Sequence, residues 1–513
     1  MMSVGLLKNF FLFFSYSTCL CAYDYDLIII GAGAAGMKAA VLAHEMGKKV
    51  ALIEKNKQLS DRCNHGDVPY QLLYDLVAHI NKNELLQENG IVSSTPVDYA
   101  QLRHFISTKS KEINRSLRHV LKYTHHIDLL YGLASFVDEH TIVLEKQTIS
   151  ADKYLIATGS RSYIPPLQGL ENINYCTQET FFSIKQLPDS MAIMGGGPWS
   201  IELALALTVL GVEVTLLVEQ PFLLPTFDYE LVERLTRFLL TKGITVHCNL
   251  TPVSVQKHAE KTVLTMHNKA GKIYTIETTL LCITGNIIPN TDGLALDKAG
   301  VKTYSETEHH MIHYGNIPIA DSILVNSFMQ TTAKNIYASG DITGLQIAQR
   351  AGIYQAMIAV YNMFHREQKT VHYTLVPRII QLLDKQLVSV GLSEQEALKQ
   401  SSDDMTIYRY EDTHKNNNGM IDTTLPDSVK CLCNASGHII GIHALGENAQ
   451  YVVDTVTVGD ALQHFFHDYY ARRALSFDYY DMMNALSYQC YVDSKKKTQE
   501  DRQGVSSFWS LFS

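Results

Sequence analysis

Tyr25-Asp-Leu-Ile-Ile-Ile-Gly31-Ala-Gly33-Ala-Ala-Gly36 decides the fold of this chain. Residues 27–30 are uninterrupted Leu and Ile, the pattern of a parallel strand buried on both faces. The strand runs straight into glycines spaced G-x-G-x-x-G, then a helical pattern from Met37 to Met46 and a second strand, Lys49 to Ile53, ending at Glu54. Gly31 permits the tight turn, Gly33 lets a pyrophosphate approach the backbone, and Gly36 lets helix and strand pack closely. The helix N-terminus faces the phosphates. Glu54, about twenty residues on, is placed to accept hydrogen bonds from a ribose. A lone glycine pattern is weak; strand, glycines, helix, strand and acid in register are specific.

The same grammar recurs. Met191 to Met194 leads into Gly195-Gly-Gly197-Pro-Trp-Ser200, a helix from Ile201 to Leu210 and a strand from Val212 to Val218, followed by Glu219. Ser200 replaces the third glycine and is expected to loosen helix–strand packing slightly. Pro198 is tolerated in a first helical turn. A carboxylate at Glu219 favours a free 2′-hydroxyl and repels a 2′-phosphate, and no Arg or Lys follows within several residues, so NAD(H) is expected rather than NADP(H). The competing reading is a unit that keeps the fold and has lost the ligand.

At 513 residues the chain exceeds one hydrophobic core, and two to four domains are expected. A net charge of −9, with no basic stripe, argues against nucleic acid as a partner. The nine cysteines show no paired metal-ligand spacing, and no metal is expected. Cys431-x-Cys433 lies in an alternating stretch and reads as two small buried side chains on one strand face. Leu102 to Tyr123 reads as a long helix and Ile127 to Leu144 as a hairpin region. Lys8 followed by the apolar run Phe10 to Ala22 fits a signal peptide, too short to span a bilayer comfortably. The alternative is a short hydrophobic leader on a cytosolic protein. Cytoplasmic residence is the expectation and export the alternative; membrane association is left open.

Two such units in one chain, with further motifs in order, resemble the class I pyridine nucleotide–disulfide oxidoreductases, the family of dihydrolipoamide dehydrogenase, glutathione reductase, mercuric reductase and the soluble pyridine nucleotide transhydrogenase. Ile156-Ala-Thr158-Gly159-Ser160 looks like the turn at which the chain leaves the FAD domain. Ile283-Thr284-Gly285 with Pro289 to Leu294 looks like the return crossing. Asn335-Ile-Tyr-Ala-Ser-Gly340-Asp341 looks like the second FAD motif, whose aspartate binds the ribityl chain. Val388 to Leu392 and Ile439 to Gly446 look like the C-terminal interface domain. The resemblance spans about Tyr23 to Tyr491. It implies an α/β chain with two Rossmann-like nucleotide-binding domains, for FAD and NAD, and a C-terminal α+β interface domain. The implied division is a leader at 1–22, an FAD domain at 23–163 and 287–370, an NAD domain at 164–286, a dimerisation-type domain at 371–492 and a tail at 493–513. By resemblance, Gly31, Gly33, Gly36, Glu54, Thr158, Gly159, Gly340 and Asp341 bind FAD. Gly195, Gly197, Ser200, Glu202, Glu219 and Gly285 bind NAD.

The departures fall at the chemistry. The family carries two cysteines spaced C-x4-C before an Ile-Pro-Ser-Lys run. Registering Asn64, Gly66 and Pro69 on that pattern puts Arg62 and Asp67 at the cysteine positions, leaves Cys63 one residue out of register and makes the lysine Gln71. That lysine pairs in the family with a glutamate on the second Rossmann helix, near flavin N5. Glu202 holds the glutamate position and is expected to face Gln71 with no cation. The family's C-terminal His–Glu pair becomes Arg472 and Phe477, with His464 and His467 out of register.

What the resemblance then implies is an FAD-dependent NADH oxidoreductase passing electrons to a small-molecule acceptor that is not a disulfide, in a homodimer. Arg62 and Asp67 would pair across the vacated site. The alternative is a catalytically degenerate FAD-binding protein with a structural or partner-binding role. A third reading, a reductase using Cys63 alone, requires a shift that displaces Gly66 and Pro69.

Overall fold

The structure is a computed structural model describing residues 23–56, 67–88, 97–124, 127–304, 321–345, 348–400, 405–411, 427–435, 439–447 and 449–453. The leader at 1–22, Arg62 to Gly66, His464, His467, Arg472, Phe477 and the tail lie outside the described residues, as does the side chain of Asp67. Seven α-helices are described: α1 (Ala34–Glu45), α2 (Asp67–Glu88), α3 (Tyr99–His119), α4 (Pro198–Val209), α5 (Tyr229–Thr241), α6 (Gln349–Phe364) and α7 (Glu394–Lys399). No helix among the described residues is long and apolar enough to cross a membrane.

The opening stretch forms the centre of a parallel sheet. Strand Tyr25–Ile30 pairs with Val50–Glu54 on one side and Gln147–Ile156 on the other, with Ile28 beside both Ala51 and Tyr154. Strand period two sends Leu27 and Ile29 to one face and Ile28 and Ile30 to the other. Leu27 and Ile29 pack with Ala39, Ala40 and Ala43 of α1 and with Ala356 and Ala359 of α6. Ile28 and Ile30 pack with Phe136, Ile142, Tyr154 and Ile336. Both faces are covered, which is why the strand reads as a continuous apolar run. Strand Ile336–Ala338 returns from far along the chain to pair with Gln147–Ile156. The region read as a hairpin divides: Asp128–Tyr131 joins the parallel sheet beside Val50–Glu54, and only Ala134–Asp138 and Thr141–Leu144 form an antiparallel hairpin.

The second glycine turn builds a second parallel sheet, ordered Thr245–Cys248, Glu213–Val218, Ser190–Met194, Leu280–Ile283, Tyr175–Thr177. One face carries a three-stranded antiparallel layer (Thr251–His258, Lys261–His267, Ile273–Thr278), and the other carries α4 and α5. The chain crosses between the two sheets as a two-stranded ribbon in which Ser160–Ser162 pairs antiparallel with Ile287–Pro289. The C-terminal part is an antiparallel sheet ordered Arg378–Leu382, Lys385–Gly391, Ile439–Gly446, Ser428–Cys433, Thr406–Glu411. Cys433 is buried there and Cys431 is half-buried.

The element that joins these parts is α4. Its sequence, Pro-Trp-Ser-Ile-Glu-Leu-Ala-Leu-Ala-Leu-Thr-Val, is apolar on all sides but for Glu202, and every residue from Ser200 to Leu207 is buried. A helix with no polar face must be covered all round. The second sheet covers one side, Leu73 and Val77 of α2 another, and Ile380, Leu382 and Leu387 of the C-terminal sheet a third.

Candidate functional site: two nucleotide cradles and a buried carboxyl

The first cradle is built by close approach. Gly31 has φ +110°, and a Cβ there would lie 2.3 Å from the Ala157 carbonyl oxygen. A Cβ on Gly36 would lie 1.9 Å from the Gly31 oxygen. At Gly33, by contrast, an added Cβ would meet no protein atom within 4 Å. Gly33 is the N-cap of α1 and offers no side-chain cap, so the first helical N–H groups open onto that space. Glu54, buried at the strand end, accepts from Ala32 N–H (3.1 Å) and Asn56 N–H (3.3 Å).

The later motifs converge on the same end of the sheet. Thr158 Oγ1 donates to the Asn290 carbonyl (2.9 Å), and Asn290 Nδ2 donates to the Thr158 carbonyl (3.0 Å), so the two crossings are stitched together. Gly159 has φ +68° and Gly340 φ +85°. Asp341 is buried and accepts from Ser160 Oγ (2.8 Å). Gly340 N–H donates to Oε1 of Gln355 (2.6 Å), a fully buried amide on α6. Gln355 and Ser160 escaped the sequence reading: a polar residue inside an apolar helix was the only signal for the first, and a small residue after the Thr-Gly turn for the second.

The second cradle repeats the plan. Gly195 has φ +152°, and its Cβ would lie 2.4 Å from Thr284 Oγ1; Gly197 faces open space and caps α4 without a side chain. Ser200 does not loosen the packing as expected. Its hydroxyl is 2.7 Å from Thr284 Oγ1, and Thr284 donates on to the Met194 carbonyl (3.1 Å). The serine fits because its one polar atom finds a partner on the next strand. Glu219 stands exposed just beyond strand Glu213–Val218, and Gly285 is exposed at the end of the adjacent strand.

Between the cradles lies Glu202. The expectation that it faces Gln71 is overturned: Gln71 is exposed and its amide donates to Asp75 Oδ1 (2.8 Å). One residue earlier on α2, about 100° round the helix, Tyr70 turns inward and donates to Glu202 Oε2 (2.7 Å). Tyr70 stands where the resemblance has a serine. Gln381 N–H, from the C-terminal sheet, donates to Oε1 (2.7 Å). Nearby, Leu383 N–H donates to Tyr74 OH (2.5 Å). Three parts of the chain therefore meet on one carboxyl, and none of its partners among the described residues is a cation. Burial pushes the Glu202 carboxyl up to about 7, against the lowering effect of the Gln381 and Tyr70 bonds. Burial likewise holds the Tyr70 hydroxyl well above its ordinary value, so it remains a donor.

A carboxyl raised on folding from 4.5 to about 7 contributes stability that is full below 4.5 and is lost as pH rises through 7. We predict that wild type loses about 3 kcal/mol more between about pH 5 and about pH 8 than Glu202→Gln does, read from urea unfolding at the two values. Equal pH dependence in the two proteins would show that Glu202 titrates normally.

Both cradles fit a dinucleotide: an open glycine, an uncapped helix N-terminus and an acid at the next strand end. The sequence pattern of the pyridine nucleotide-disulphide oxidoreductase family matches residues 25–361. The chain belongs to this family. Mercuric reductase of Lysinibacillus sphaericus is 30% identical over 84% of this chain and 76% of its own length. The soluble pyridine nucleotide transhydrogenase of Colwellia psychrerythraea is 28% identical over 86% and 94%. The fold is shared with the HOCl-induced flavoprotein disulfide reductase RclA of Escherichia coli, at a TM-score of 0.71 and 21% identity over 85% of this chain and 93% of that one. As a pyridine nucleotide-disulphide oxidoreductase family member, the chain is an FAD-dependent oxidoreductase that uses a nicotinamide nucleotide.

Proposed function

We propose that this protein oxidises NADH and passes the electrons to a small-molecule acceptor that is not a disulfide. The observation that carries this reading is the pair Arg62 and Asp67 at the positions where the family has its cysteines, in a chain that keeps both nucleotide cradles. The chemistry supplied by bound FAD is acceptance of two electrons from the nicotinamide and their delivery onward. Gly33, with the first N–H groups of α1, holds the FAD pyrophosphate; Glu54 takes the ribose and Asp341 the ribityl chain. Gly197 and the N-terminus of α4 hold the NAD pyrophosphate, and Glu219 selects the free 2′-hydroxyl. Arg472 and Phe477, at the positions of the family's acid–base pair, support the same reading, since a site without thiols has no thiolate for a base to manage.

Glu202 and Tyr70 take the place of a carboxylate–ammonium pair in this reading. A lysine would fix a permanent charge at this spot; Glu202 with Tyr70 instead holds a proton that can leave near neutral pH. The second reading, a flavin-binding protein without turnover, is favoured by the absence of that cation. Anaerobic addition of NADH to the purified yellow protein separates the two. Bleaching of the flavin absorbance, faster with NADH than with NADPH, is expected. Flavin that stays oxidised supports the binding protein.

A further inference from the structure

Helix α3 buries one side and turns the other to solvent. Ile106, Ser110 and Asn114 are buried, and Leu117 and Leu121 join the core around Leu27 and Leu52. These positions lie three or four apart and form the ridge that meets the protein. The outward side carries two more ridges. Lys111, Arg115, Arg118 and Lys122 follow one another at four, three and four residues. Beside them run Phe105, Ile113, Val120 and Tyr123, at intervals close to whole turns. These four apolar side chains are 37% to 60% exposed, on a side where a surface helix ordinarily carries polar residues. The π-helical turn Val120–Thr124 continues the helix, and the Tyr123 ring stays beside His119, with centroids 5.0 Å apart.

The charge of this helix runs against that of the chain. From Arg103 to Lys122 there are six cations and one carboxylate, Glu112, on a chain of net charge −9. Glu112 bonds Lys109 at 2.8 Å, so the local balance stays strongly positive. Lys111, Arg115 and Lys122 are exposed. The linear sequence shows no basic stripe because apolar and hydroxyl residues separate these cations. The helical period gathers them onto one side.

We propose that α3 lays this outward side on the surface of an anionic phospholipid bilayer. The cations meet headgroup phosphates, and Phe105, Ile113, Val120 and Tyr123 enter the boundary between headgroups and acyl chains, as in an interfacial helix. A basic ridge beside an apolar one, along about 30 Å of helix, calls for a partner that is negative at its surface and apolar just beneath. A bilayer supplies both. A nucleic-acid duplex supplies phosphates without the apolar layer and would leave four apolar side chains against charge. The negative remainder of the chain opposes approach only weakly, because at physiological salt charges farther than about 8 Å from the surface are largely screened. Docking is peripheral, since α3 remains held to the protein by its inward ridge.

Co-sedimentation of the flavin-loaded full chain with lipid vesicles is the test. Vesicles of equal parts phosphatidylcholine and phosphatidylglycerol should carry the protein down, and vesicles of phosphatidylcholine alone should not. Each cation near an anionic leaflet is worth about fivefold in affinity. Lys111→Gln combined with Arg115→Gln should therefore weaken binding at least about tenfold and leave the flavin-to-protein ratio unchanged. Phe105→Ser combined with Ile113→Ser should weaken it severalfold by removing area that enters the interface. Raising the salt to about 1 M, where the Debye length falls to about 3 Å, should release the protein. The proposal is overturned if the protein ignores both vesicles, or if a folded Lys111→Gln, Arg115→Gln variant binds like wild type. Equal binding to the two compositions, or binding that survives high salt, also overturns it, because the apolar run Phe10 to Ala22 would act in that way. Retention on a DNA duplex but not on the anionic vesicles would make the face a nucleic-acid surface and overturn it too. The vesicle and salt comparisons need only wild type, so they decide the matter even if no variant folds.

Discussion

Gly36→Ala should give protein that retains no flavin and unfolds early. The added Cβ would lie 1.9 Å from the Gly31 carbonyl oxygen and 3.3 Å from Ile29 Cγ2. Neither can yield cheaply. The first is backbone in the turn that enters α1, and the second belongs to the strand at the centre of the sheet. Relief requires α1 to move off the sheet, and α1 carries Ala39, Ala40 and Ala43 against Leu27 and Ile29. The cost lies at or beyond the upper end of the roughly 1–3 kcal/mol typical of overpacking. Gly33→Ala is the contrasting variant. Its Cβ meets no protein atom and its backbone is extended, at φ −72° and ψ −177°. It should melt like wild type in the absence of flavin and hold the cofactor less tightly, because the methyl enters the space assigned to the pyrophosphate. The ratio of flavin to protein absorbance, with circular dichroism melts, reads both effects. A Gly36→Ala protein with full flavin would mean that α1 does not pack as described.

Lys430→Met carries the other large effect, on stability. Lys430 is buried on strand Ser428–Cys433 and bonds three carboxylates: Asp228 at 2.9 Å, Glu230 at 3.2 Å and Glu394 at 2.6 Å. Asp228 is also buried and caps α5, while Glu394 opens α7. The ion cluster thus fastens the second sheet's helix layer to the C-terminal sheet. Arg378 reaches across the same junction to the Thr226 carbonyl and, within the C-terminal sheet, donates to Ser389 Oγ (3.2 Å). Ser389 in turn bonds the fully buried His443, whose imidazole burial pushes down to about 4. His443 is therefore neutral near pH 7, and Lys430 is the buried cation that balances Asp228. Its removal leaves a buried carboxylate uncompensated, expected to cost about 3–5 kcal/mol.

The pH dependence has a definite sign. Burial raises the Asp228 carboxyl, but its cationic neighbours and hydrogen bonds outweigh that and hold it below its ordinary value. The same balance, with Arg409 and Lys430 as partners, holds Glu230 down. A depressed carboxyl contributes stability present above its unfolded value and lost as pH falls through the folded one. Wild type should therefore lose this contribution in acid, and Lys430→Met should lack it near neutrality. A fall of less than about 1 kcal/mol in urea unfolding would place the cluster among weak surface pairs.

Much of the fold was legible because its signals are local. Glycines 31, 33 and 36 stand within one turn of each other, and the acid at Glu54 ends the very next strand. What was not legible depends on partners far along the chain. Ser200 looked like a packing defect because its partner Thr284 is 84 residues away. Gln71 looked like the neighbour of Glu202 because register supplies a position, not a helix face; one residue decides which side chain turns inward. Strand Ile336–Ala338 completes a sheet begun about three hundred residues earlier; no period reveals that return, and only the resemblance at Asn335 to Asp341 pointed to it. Lys430 sits in the alternating stretch read only for Cys431 and Cys433, and alternation says nothing about which polar residues are buried in pairs.

The central claim, an FAD-dependent NADH oxidoreductase without a working disulfide, is tested most directly by counting electrons. Purified protein is titrated anaerobically with NADH while the flavin absorbance is followed. A flavin that is the only redox group takes two electrons, so one equivalent of NADH per flavin should complete the bleaching, and added dithiol-reactive reagent should find no new thiols. A requirement for two equivalents, with thiols appearing as the first is consumed, would reveal a second two-electron centre and contradict the account.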